Sequence, residues 1–217
     1  MKSGTLAALL LLAVLLLALT SASAQVRLST GLKTGLNLAT VYGDDAEGVD
    51  LKAGFVSGFS IALYFGDAVA LQSEILYCMK GTQYQEGPLT TKVKLGYIEV
   101  PLLAKFTFST DAEIDPFVYT GPAVATNVSA KLGYSVSGSG STDINVDNVK
   151  STDLGWVIGG GVVFDLPRTR ASLEVRYERG FVEFVDEPVP NGTNIVNNGV
   201  AQDWKHSDIA LMLGVYF

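Results

Sequence analysis

From residue 27 onward, apolar side chains recur at every second position, over segments too long for an ordinary soluble sheet. The alternation divides the chain into eight strands: 27–40, 53–65, 69–80, 93–108, 117–131, 153–165, 171–181 and 206–217. A period of two marks a β-strand with two unlike faces. Most of the eight have 12 or more residues, whereas about 5–6 is usual in soluble sheets. A tilted strand that crosses a bilayer needs about 9–11 residues in the hydrocarbon.

The chemistry of the two faces settles which way round they lie. One face carries Leu28, Leu32, Leu36, Phe55, Phe59, Ile61, Leu71, Ile75, Val100, Leu102 and their equivalents on the other strands, 46 positions with no charge among them. At a charged fraction of 17%, random placement would leave roughly eight charges there. The opposite face holds Lys33, Glu74, Lys80, Glu99, Lys105, Glu174, Arg176, Glu178 and Asp208. A soluble barrel puts apolar side chains inward and charges outward. The reverse pattern here predicts an all-β, eight-stranded antiparallel up-and-down transmembrane barrel.

The connections agree. Short links at 66–68, 109–116 and 166–170 alternate with longer ones at 41–52, 81–92, 132–152 and 182–205. Membrane barrels have short periplasmic turns and longer extracellular loops. Loop 132–152, with its Ser137-Gly138-Ser139-Gly140-Ser141 run, is expected to be the most mobile. The strands descending to the short-turn side end in Phe65, Phe108, Phe164 and Phe217, all on the apolar face. They are expected to form an aromatic girdle at one interface. Tyr42, Tyr77, Trp156, Tyr177 and Phe181 are expected to form a less regular second one.

Residues 1–24 read as a cleavable signal peptide, with Lys2, an apolar run from Leu6 to Leu19, and an Ala22-Ser23-Ala24 end. The barrel domain is then 25–217. Losing Lys2 leaves 14 basic against 22 acidic residues, a formal charge of 14 − 22 = −8. That balance argues against nucleic acid as a partner. The single cysteine, Cys78, cannot form an intramolecular disulfide and shares the inward parity of Glu74.

Several segments also have a family look. Gly31-Leu32-Lys33-Thr34-Gly35-Leu36-Asn37-Leu38 resembles the opening of the PorT-like outer-membrane β-barrel family of Gram-negative bacteria. So do Leu71-Gln72-Ser73-Glu74-Ile75-Leu76-Tyr77 with Lys80-Gly81, and Tyr97-Ile98-Glu99-Val100-Pro101-Leu102-Leu103-Ala104-Lys105. Gly121-Pro122, Gly155 with Gly159 and Gly161, and Arg176-Tyr177 with Gly180 follow in order. Cys78 and Met79 depart from the small polar residues more usual there. The resemblance implies a porin-family barrel in the outer membrane whose last strand, ending at Phe217, is read by the barrel-assembly machinery. Some relatives are linked to secretion and others are labelled porins. The resemblance supplies no catalytic residue.

The candidate site is the inward charge set Lys33, Glu74, Glu99, Lys105, Glu174 and Arg176. Counting from a loop centred near residue 87, Glu74 should lie roughly opposite Glu99. These groups form either a charged constriction or an ion-pair network filling the barrel. The second is expected, since eight strands leave room for little beyond side chains and a satisfied network rigidifies a fold.

His206, Ser207 and Asp208 supply hydrolase residue types, but Ser207 faces away from its neighbours on a strand. His206 is expected at the rim. Asp143-Ile144-Asn145-Val146-Asp147 begins like a calcium loop, yet Asn148 and Leu154 replace the required glycine and glutamate. Asp44, Asp45, Glu47 and Asp50 read as a solvated acidic surface. Gly159-Gly160-Gly161 is expected to relieve crowding.

The expectation is thus a monomeric outer-membrane protein with no enzymatic activity, cofactor or metal. It has outer-membrane lipids and lipopolysaccharide as surroundings, no nucleic-acid partner, and a structural or loop-binding role. A small-solute porin or secretion accessory, a barrel lipid hydrolase and a soluble exported barrel are the rival readings.

Overall fold

The structure is a computed structural model that describes residues 26–42, 51–86, 89–110, 113–136, 141–146, 149–183 and 205–217. Nine strands form among the described residues: β1 Val26–Tyr42, β2 Lys52–Phe65, β3 Val69–Glu86, β4 Leu89–Thr107, β5 Ile114–Val136, β6 Ser141–Asn145, β7 Thr152–Leu166, β8 Thr169–Gly180 and β9 Lys205–Tyr216. All pairings are antiparallel, in the order β4-β3-β2-β1-β9-β8-β7-β5, and β4 pairs with β5 to close the ring. Eight strands therefore make the barrel. The ninth, β6, adds to the outer end of β5 through pairs such as Leu132↔Ile144.

Closure follows from the pattern of the residues. A spanning structure must satisfy all its backbone groups internally, and a closed barrel leaves no open edge. The seam is made by β1 and β9, with Leu36 opposite Leu211 and Leu32 opposite Val215. The faces lie as their chemistry requires. Phe59 is 67% exposed and Leu36 66%, whereas Lys33, Glu74 and Lys105 are at most 2% exposed. Hydroxyls on the outer face turn back onto the strands: Ser73 donates to the Pro101 carbonyl at 3.1 Å and Thr120 to that of Val157 at 3.0 Å.

Two of the expected loops differ. The 81–92 link is largely strand, since β3 continues to Glu86 and β4 starts at Leu89. Likewise β5 reaches Val136 and β6 occupies part of the 132–152 segment. Beyond the bilayer no lipid demands an apolar face, so Thr82, Gln83, Thr90 and Thr91 extend the wall without apolar alternation. A bulge in the β4–β5 ladder at Gly96/Tyr97 marks this transition. The signal segment, the Asp44–Asp50 cluster and Asp147 and Asn148 lie outside the described residues. Asp143 is on a strand and bonds Lys94, while Leu154 is 48% exposed on the outer wall.

Candidate functional site

The interior is layered. Near the short-turn end, β4 holds Lys105 and β5 holds Phe117, with the Lys105 Nζ 4.1 Å from the Phe117 ring centre and 5.4 Å from that of Tyr216. Lys105, expected among the ion pairs, makes none among the described residues. Its charge rests on aromatic faces, whose negative quadrupole attracts a cation. An unpaired buried charge is costly. Lys105→Met is therefore expected to leave the barrel as stable as the wild type or up to about 1 kcal/mol more stable, read as the urea midpoint in lipid.

The next layer is a balanced pair of acids and bases. Lys33 Nζ lies 2.6 Å from Glu74 and 2.7 Å from Glu174. Arg176 from β8 completes it by donating to the other Glu74 oxygen. Gln72 donates to Glu74 at 2.6 Å. The Tyr119 hydroxyl accepts from Arg176 Nε at 3.2 Å. This last contact depends on a glycine. Tyr119 and Arg176 are the cross-strand partners of Gly159 on either side, and a Cβ there would sit 2.6 Å from the Tyr119 ring. The missing side chain gives the ring its place, so crowding is relieved at a specific contact.

The third layer is not balanced. Lys80 Nζ meets Glu178 at 2.8 Å, Asp208 at 2.8 Å and Glu99 at 3.2 Å, with Arg176 reaching Glu99 at 3.8 Å. All are buried. The cavity beside them is about 10 Å³, room for roughly one water. Lys80, Glu178 and Asp208 are visible in the sequence as inward charges, but parity alone does not rank them above their neighbours. Their convergence on one point comes from four strands, β3, β4, β8 and β9.

Glu74 and Glu99 are not opposite each other. Glu99 faces Leu76, and Ser73 faces Leu102, which puts the two carboxylates diagonal by a two-residue step. The ladder pairs Glu86 with Leu89, whereas a directly opposed Glu74 and Glu99 would need the hairpin centred one whole residue earlier in the chain. The two acids consequently enter different layers, Glu74 with Lys33 and Glu99 with Lys80.

His206 is not at an open rim. It is 1% exposed, with Nε2 3.1 Å from the Tyr97 hydroxyl, because its β1 partner Val41 is itself inside. Ser207 lies on the other face, 3.3 Å from the Tyr177 hydroxyl, and Asp208 is held by Lys80. The three hydrolase residue types thus point to different partners. Cys78 is buried beside Val56 and Met212. Apolar clusters lie beside the charged layers, one of Val41, Val93, Leu95, Tyr97, Ala125, Leu132 and Val146 at the outer end, and Arg176 links the second layer to the third.

At the short-turn rim Phe217 is 72% and Phe108 56% exposed, while Phe65 and Phe164 are half-buried. At the other rim the Trp156 indole donates to Thr120 Oγ1 at 2.8 Å and the Tyr42 hydroxyl to the Gly180 carbonyl at 2.6 Å. No helix among the described residues is long and apolar enough to cross a membrane.

Comparison with solved structures finds several similar chains. Neisserial surface protein A shares 14% identity at a TM-score of 0.48, covering 87% of this chain and 97% of that one. OprG from Pseudomonas aeruginosa shares 11% at 0.48, covering 87% and 95%. Ail, the attachment invasion locus protein of Yersinia pestis, shares 15% at 0.42, covering 87% and 98%. No curated protein matches. The sequence model of the outer membrane protein beta-barrel domain matches residues 21–186, and by that match the chain belongs to this outer-membrane family.

Proposed function

We propose that this outer-membrane barrel neither conducts solutes nor catalyses a reaction, and that it acts as a rigid platform which binds through its outward end. The observation that carries the reading is the filled interior. Three layers of buried charge and aromatic rings, with apolar clusters beside them, occupy the lumen, and the cavity at the unbalanced layer holds about one water. Rigidity of this kind holds an extended wall, β3–β4–β5–β6, in one orientation. In this reading the protein is a PorT-like, porin-family monomer, exported by a signal at residues 1–24 and inserted by the barrel-assembly machinery. Lipids and lipopolysaccharide surround it, and the two phenylalanine and tyrosine–tryptophan rims set its depth.

Planar-bilayer recording of the refolded protein tests the proposal. No steady conductance is expected. A steady current that changes in Glu99→Gln would overturn it and favour the small-solute pore, because Glu99 lies in the layer where an open path would have to pass.

A further inference from the structure

The outer end of the wall carries a charge arrangement that the barrel itself does not need. Val93, Leu95 and Leu132 are buried on one side of the β3–β4–β5 extension. Lys92, Lys94 and Lys131 alternate with them and so stand on the outer side. Lys94 and Lys131 are direct cross-strand partners, and Lys92 lies two residues farther along β4. Like charges placed opposite each other on a sheet destabilise it.

Among the described residues one acid answers this group. Asp143 of β6 accepts from Lys94 Nζ at 2.7 and 2.8 Å. That bond, with Lys131 nearby, holds its carboxyl below the usual carboxylate range. One carboxylate against three outward ammonium groups leaves a local excess of positive charge on a protein that is acidic overall.

The depth of the cluster says what would neutralise it. Tyr77 is on the lipid side, its ring 5.6 Å from that of Phe55. Its hydroxyl lies over Gly96, where a Cβ would come within 2.7 Å of it. A tyrosine hydroxyl on a barrel wall sits at the headgroup level. Lys94 is two residues beyond Gly96 on the same face, and the longer links place this end outside the cell. The lysines therefore begin where the phosphates of the outer leaflet lie.

We propose that Lys92, Lys94 and Lys131 form a binding site for the phosphate groups of an outer-leaflet glycolipid, an inference that rests on the membrane-barrel reading above. The phosphates take the place of the missing acids and relieve the Lys94–Lys131 repulsion, while the acyl chains lie along the apolar wall below Tyr77.

The test uses the full chain without residues 1–24, refolded into phosphatidylcholine nanodiscs. The discs contain bisphosphorylated lipid A, a charge-matched amount of phosphatidylglycerol, or neither. Native mass spectrometry reads retained lipid, and heat-modifiable gel migration reads folding. Wild type is expected to retain lipid A in preference to phosphatidylglycerol. Lys92→Gln/Lys94→Gln/Lys131→Gln should weaken retention by at least about tenfold, since each lysine near a lipid surface contributes about a fivefold effect. Lys131→Gln alone, which removes one side of the repulsive pair and keeps the Lys94–Asp143 bond, should give an intermediate loss. Equal retention of lipid A by wild type and the folded variants would overturn the site. Equal retention of both anionic lipids by wild type would also overturn it, because the lysines would then read negative charge alone. Failure of the wild type to insert and show heat-modifiable migration would instead overturn the membrane-barrel reading.

Discussion

Replacing Lys80 by methionine is expected to destabilise the folded barrel by about 3–5 kcal/mol, the cost of breaking a buried ion pair by removing one partner. Lys80 is the shared cation of Glu99, Glu178 and Asp208. Without it three carboxylates are left within one layer, and Arg176, already committed to Glu74, reaches Glu99 alone among them. Removing the carboxylates together with the lysine should restore much of the loss. Lys80→Met/Glu178→Gln/Asp208→Asn is expected to be more stable than Lys80→Met by at least about 2 kcal/mol, because the uncompensated charge is gone. Urea titration in lipid, followed by heat-modifiable migration, reads both values. A Lys80→Met protein as stable as the wild type would mean that this layer does not hold the barrel together.

The second large effect lies on the opposite face. Leu211 is 50% exposed and flanked by Leu36 and Val175 on the neighbouring strands. It is about midway along β9, between the Phe217 rim and the outer end. Leu211→Arg should cost about 2–4 kcal/mol, the penalty for a cation at the bilayer midplane of a membrane barrel. On a soluble barrel the same exposed position would tolerate arginine within about 0.5 kcal/mol. The measurement therefore separates the two architectures. An Ala210→Val control at the neighbouring buried position probes packing instead, since overfilling a tight interior costs about 1–3 kcal/mol in either architecture.

Much of the barrel is legible in the order of its residues. The two faces are an intrinsic property of a strand, and charges confined to alternate residues reveal their side without knowledge of the neighbours. The inward parity of Lys33, Glu74, Glu99, Lys105, Glu174 and Arg176 is of this kind. Their partners are not, because a partner depends on register. A one-residue shift in one hairpin centre is enough to move Glu99 from Glu74's layer to that of Lys80. Lys105 has the same parity as the paired lysines, yet it meets Phe117 and Tyr216. Nothing local marks the difference.

The extension of β3, β4 and β5 is hidden for another reason. The alternation that reveals a membrane strand exists because lipid touches one face, and it stops where lipid stops. On the outer side of Gly96, polar residues and lysines face outward, so the sequence there resembles a loop although the backbone ladder continues. His206 is a similar case. Its place at the start of a strand suggests a rim, but the apolar cluster around Val41 and Tyr97 closes over it.

By itself, then, the sequence determined the strand number of the barrel, the lipid-facing surface and which charges turn inward, because each depends only on a period of two and the contrast between lipid and lumen. The tertiary structure alone decided which of those charges meet. It brought Glu99, Glu178 and Asp208 from three strands onto one lysine of a fourth, and set Lys94 against Lys131. Such contacts are fixed by register and closure, which no single strand contains.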